Sequence, residues 1–207
     1  MTRLIERLGI ASGLLAPLVT LGAIAIATTL SPTFTWTGSA LSDLGAPWAP
    51  TAWLFNGGLI VGGIIALLFG VLVFLNAHNR IEQAGAVLFG VTAVLLAAIG
   101  MFPAGTPQHF PAAVSFYLFL SISLWVYGVG NVLAGKRRLG ALTVCLGLLN
   151  LLAWVVWVIA FQTIVPGLAL PESVGAIILG AWVFGTTIRI QIAYRPESTV
   201  ESGSKID

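Results

Sequence analysis

Charge is what this sequence has least of. Asp, Glu, Lys and Arg together make up 8% of its 207 residues, against roughly 25% in ordinary soluble domains. The net charge of +2 is too small to point to a nucleic-acid partner. A single cysteine, Cys145, excludes an internal disulfide and a thiolate metal cluster. Also missing is any segment of soluble composition and domain length, which excludes a separate catalytic domain and confines any activity to helices and their loops.

What is present is apolar: 58% hydrophobic residues and a mean hydropathy of +1.02. A membrane-spanning helix needs about 20 mostly apolar residues to cross roughly 30 Å of hydrocarbon. Six such stretches occur, near 8–30, 51–75, 84–101, 111–134, 139–164 and 172–193. The expected fold is an all-α bundle of six transmembrane helices over residues 1–194, followed by a disordered cytoplasmic tail over 195–207, where Pro, Ser, Glu and Lys offer nothing to bury. Arg3 and Arg7 precede an apolar run too long for a cleaved secretory signal, so the first stretch is expected to stay as a span.

The charges are placed unevenly. Arg3, Arg7, Arg80, Lys136, Arg137, Arg138, Arg189, Arg195 and Lys205 all fall on the side of the termini, and the opposite loops contain no Lys or Arg. Basic residues near helix ends resist translocation, so both termini are expected in the cytoplasm of a multi-pass plasma-membrane protein. Its basic inner surface would face anionic lipid.

Near mid-membrane the spans contain no Asp, Glu or His, and Arg189 lies near the inner end of the last one. Ion-coupled transporters usually carry such a group on their path, so transport ranks third among the functions considered. A polar route through Asn56, Ser121 and Asn150 would be needed for it. Gly58 and Gly62 form a GxxxG spacing, which allows close helix approach within the chain or, as the lesser expectation, between copies in a homo-oligomer.

The outer loops hold the ionisable residues of interest: Asp43, His109 and Glu172, one in each. Brought together they could coordinate a divalent cation or act as general acid and base. Each also has a plain structural use. Asp43 could close a turn, His109 could cap a helix, and Glu172 follows Pro171 where a carboxylate favours a helix N-terminus. Ser42, Trp48 and Asn56 are further binding candidates, although Asn56 in the second span and Asn150 in the fifth also suit hydrogen bonds between helices, and the long 31–50 loop, with Phe34, Trp36 and Trp48, suits the membrane interface.

The segments LSDLGAPWAPTAWLFNGGLI (41–60) and GMFPAGTPQHFPAA (100–113) resemble an uncharacterised prokaryotic membrane family, common in archaea, catalogued as a domain of unknown function. The Ser-Asp-x-Gly turn is also distantly similar to the FRAG/DRAM/SFK group of six-span proteins, where Thr usually stands at the place of Leu44. The resemblance implies a six-span fold and adds weight to Asp43 and His109, which fall in its motifs; Glu172 does not. It implies no reaction and no cofactor. The leading expectation is a non-enzymatic protein that binds a lipid headgroup or partner protein through Ser42, Asp43, Trp48 and His109. The alternative is a lipid-modifying hydrolase or transferase using Asp43 and His109.

Overall fold

The computed structural model describes residues 2–194, and the tail expected over 195–207 lies outside them. Six helices, each long and apolar enough to cross a membrane, follow one another: α1 (Thr2–Leu30), α2 (Ala52–Leu75), α3 (Arg80–Met101), α4 (His109–Leu133), α5 (Arg137–Val156) and α6 (Ala169–Ala193). There is no strand among the described residues. A short 3-10 turn at Leu41–Gly45 lies in the first loop, and α5 runs on into a wide π-type turn at Trp157–Phe161.

Five helices begin earlier than hydropathy places them, and for α3, α4 and α6 local chemistry explains the shift. The side chain of Asn79 accepts hydrogen bonds from the Ile81 and Glu82 amides at 3.0 and 2.9 Å, an N-cap that starts α3 at Arg80 and takes Glu82 into the helix. Pro111 and Pro171 stand in the first turns of α4 and α6, where an amide has no intrahelical acceptor in any case. Those helices therefore start upstream of the prolines, at His109 and Ala169.

Each helix packs on its successor, and α6 returns against α1. The exception is α5, whose main partner is α4 and whose contact with α6 is slight; only Gly140, Thr143, Gly147 and Asn150 of it are buried. Glycine sets the close approaches. A Cβ on Gly58 would lie 2.2 Å from Ala23 Cβ, and one on Gly62 would lie 1.9 Å from Thr20 Oγ1, so this stripe faces α1 of the same chain. Phe69, Phe89, Tyr127 and Trp182 fill the core, with Phe89 and Tyr127 rings 5.1 and 5.4 Å from Trp182.

The two ends of the bundle are closed differently. At the end bearing the termini, the Tyr194 hydroxyl donates to Asn76 Oδ1 at 2.8 Å. At the other end the first and last loops are stitched by backbone: Gly167 N–H donates to the Thr37 carbonyl and Ala169 N–H to the Ser39 carbonyl, both at 2.9 Å. A Cβ on Gly167 would lie 2.5 Å from Ser39 O, so only glycine permits this seam. The Trp157 indole holds the last loop in place by donating to the carbonyls of Val165 and Gly167 at 3.0 and 3.1 Å.

Candidate functional site

The seam between the first and last loops brings the 3-10 turn over the start of α6. There Glu172, 6% exposed, accepts a hydrogen bond from the Leu41 amide, with the Ser42 amide beside it. The Tyr117 hydroxyl of α4 donates to the Glu172 main-chain carbonyl at 3.3 Å. A carboxyl group removed from water needs such partners, since an unpaired one is strongly disfavoured in an apolar setting.

His109, half-buried at the first position of α4, has Nδ1 2.8 Å from the Phe102 carbonyl. A carbonyl can only accept, so Nδ1 is the donor, and in the neutral form of the ring Nε2 is then an acceptor. Asp43 is turned elsewhere. It is exposed, and its Oδ2 accepts from the Ala40 amide at 2.8 Å, closing the 3-10 turn. Asn56 is also occupied, donating to the Gly45 carbonyl at 2.8 Å. Trp48 is exposed, with its ring edge over Gly105 in the α3–α4 loop; at φ +93 that position favours glycine.

Two cavities meet at this end. One, of about 60 Å³, lies between α1, α2, α3, α4 and α6 and reaches Pro17 and Thr20 of α1. The other, of about 300 Å³, lies between α4, α5 and α6, at the lower edge of the usual ligand-pocket range. Both are lined by Ser42, His109, Ala113, Tyr117 and Glu172. Asp43, Trp48 and Asn56 line neither. The rim of the larger cleft carries exposed Phe110, Val114 and Leu118, so it opens sideways, toward where lipid would lie.

The expected grouping is therefore rearranged. Ser42, His109 and Glu172 share a wall, while Asp43 serves its own turn and is not part of that wall. A three-ligand metal site from Asp43, His109 and Glu172 is not assembled: among the described residues no three His, Cys, Asp or Glu side chains are grouped to hold a metal ion. Of the acid–base candidates, His109 lines both cavities and Asp43 lines neither.

The opposite end holds a second buried acid. Glu82, 1% exposed, accepts from the His78 amide at 2.6 Å, and its Oε2 is 3.0 Å from His78 Nδ1. Lys136 Nζ stands 2.9 Å from His78 Nε2, so the imidazole links the α4–α5 loop to α3. Close by, Arg189 donates to Asn131 Oδ1 at 3.2 Å and to the Tyr127 hydroxyl at 3.3 Å. Burial and the nearby Arg189 charge hold Lys136 below the ordinary lysine range, with Glu82 opposing them.

A family model described as "Protein of unknown function (DUF998)" matches residues 14–189. The chain belongs to this family. The match takes in the whole wall around Glu172 and most of the six-helix bundle. No curated protein and no solved structure matches the chain. Family and fold together describe a multi-pass membrane protein, and the DUF998 description assigns it no reaction.

Glu172 falls outside the motif segments, and no sequence pattern marks Tyr117 as part of the wall. Asn150 bonds between helices, its Nδ2 donating to the Tyr117 carbonyl at 3.0 Å and to Ser121 Oγ at 2.9 Å. Glu82 was placed outside the third span, although Asn79 three residues before it is a legible capping signal.

Proposed function

We propose that this protein binds the headgroup of a membrane lipid at the end of the bundle opposite its termini. The carrying observation is the convergence of two cavities on Ser42, His109, Tyr117 and the buried Glu172. Polar groups that converge inside an otherwise apolar hollow are the usual arrangement for orienting a ligand. The sideways opening past Phe110, Val114 and Leu118 gives access from the bilayer. The uneven distribution of Lys and Arg further supports termini in the cytoplasm and this site at the outer leaflet.

Mass spectrometry of lipid retained by protein purified in mild detergent tests the reading. Glu172→Gln is expected to reduce the retained lipid per protein roughly tenfold, the effect of about 1.4 kcal/mol, while the protein stays folded. Equal retention by folded wild type and variant would remove the headgroup site.

A second reading has one observation in its favour. His109 is oriented through Nδ1, which aims a free Nε2 as a general base would require. In a lipid-modifying enzyme His109 and Glu172, and not His109 and Asp43, would be the working pair. Lipid turnover by wild type that disappears in His109→Gln, with binding retained, would favour that reading.

A further inference from the structure

The large cleft is lined by two residues that each hold a buried polar atom with no partner among the described residues. Asn150, 1% exposed, satisfies its Nδ2 through Tyr117 and Ser121, but its Oδ1 has no donor. Trp154 Nε1 is likewise buried and has no acceptor. Both residues line the cleft. They stand four apart on α5, hence on one face and about 6 Å apart along the axis. Because α5 rises toward the loop end, the polar groups descend in order: Glu172 and His109 at the mouth, then Trp154, then Asn150.

Buried polar groups are rarely left unpaired, and each such exception calls for a cause. Here one orphan is an acceptor and the other a donor, on two residues that line the same hollow. A hydroxyl could meet both only by reaching them from one atom. A secondary amide presents its N–H and C=O on opposite sides, which suits two protein atoms separated by one helical turn. The remaining wall is apolar and aromatic, with the Trp154 ring 4.8 Å from that of Tyr117, and would accept a hydrocarbon chain.

Resting on the headgroup reading above, we propose that the cleft takes a long-chain amphiphile with a secondary amide just below its headgroup, the N–H donating to Asn150 Oδ1 and the C=O accepting from Trp154 Nε1. The headgroup would then reach Glu172 and His109, and the chain would leave between α4 and α5.

The test uses N-lauroylethanolamine and its ester counterpart, 2-hydroxyethyl laurate, which differ only in replacement of the amide N–H by oxygen. Each is titrated into the full chain in nanodiscs and binding is read by native mass spectrometry. Wild type is expected to bind the amide about tenfold more tightly than the ester. Trp154→Phe should weaken both by a similar factor, because both carry the carbonyl, and Asn150→Leu should bring their ratio close to one. If Asn150→Leu does not fold, wild type and Trp154→Phe still decide the matter. Equal wild-type affinities, with both weakened by Glu172→Gln, would overturn the amide proposal and leave the headgroup reading intact. Failure of wild type to bind either probe, together with unaltered lipid retention in Glu172→Gln, would remove both.

Discussion

Two glutamates are buried among the described residues, one near each end of the bundle, and their surroundings differ. Glu82 is enclosed by the His78 amide and imidazole, with Lys136 and Arg189 close by, and neither of the two cavities that meet at Glu172 reaches it. Glu172 has the Leu41 and Ser42 amides on one side and two cavities on the other. The first arrangement uses a carboxylate to fasten a helix start to a neighbouring loop. The second leaves it facing a hollow. Burial of an acid is thus a poor guide to function, and the space left beside it is a better one.

The sharpest way to break this contrast is to add the same methyl group at each end. In Gly130→Ala the new Cβ would meet Glu82 N at 2.6 Å and its Cα at 3.0 Å, and backbone inside a helix cannot yield. Overpacking of this kind costs about 3 kcal/mol, so the thermal midpoint is expected to fall by about 10 °C, as read by a melting scan in detergent. In Gly175→Ala the Cβ would meet the Tyr117 ring at 2.5 Å and Asn150 Oδ1 at 2.7 Å, side-chain atoms that can move toward the cleft. A loss of only about 1 kcal/mol is expected there, accompanied by a severalfold fall in retained lipid.

Asp43 sharpens the comparison within the loop end itself. Asp43→Ala removes the acceptor for the Ala40 amide and should lower stability by about 1 kcal/mol, whereas Asp43→Asn, which keeps an acceptor, should lower it less. Lipid retention should stay within about twofold in both, on the order of 0.4 kcal/mol, because Asp43 lines neither cavity. A large loss of lipid in Asp43→Asn would return that residue to the site.

The smallest expected effect concerns pH at the other end. The folded state holds Lys136 below the ordinary lysine range, so in the interval between that lowered value and about 10.4 the unfolded chain binds more protons than the folded one. Stability should therefore rise slightly with pH across that interval. Lys136 is half-buried at the edge of the bundle, and screening by the adjoining solvent keeps the slope small. Chemical-denaturation midpoints from neutral to alkaline pH should show it in wild type and lose it in Lys136→Met.

The spans were legible because hydropathy is a local property, summed over about 20 consecutive residues. Their starts were not, where a cap or a first-turn proline carried the signal: Asn79 for α3, Pro111 for α4 and Pro171 for α6. The site was legible only in its membership. Ser42, His109 and Glu172 could be named from the sequence, but their meeting depends on the Gly167–Thr37 and Ala169–Ser39 backbone bonds, and main-chain pairing between distant loops leaves no residue pattern. The same seam buries Glu172 and leaves Asp43 exposed.

The contrast between the ends can be read most directly by hydrogen–deuterium exchange of lipid-replete and lipid-stripped protein. Lipid at the proposed site predicts slower exchange in the stripped protein's counterpart with lipid at two segments, the 39–45 turn and the 167–175 start of α6, with the 76–82 segment unchanged. Protection confined to 76–82, or no difference at either end, would contradict the assignment of ligand binding to the Glu172 end.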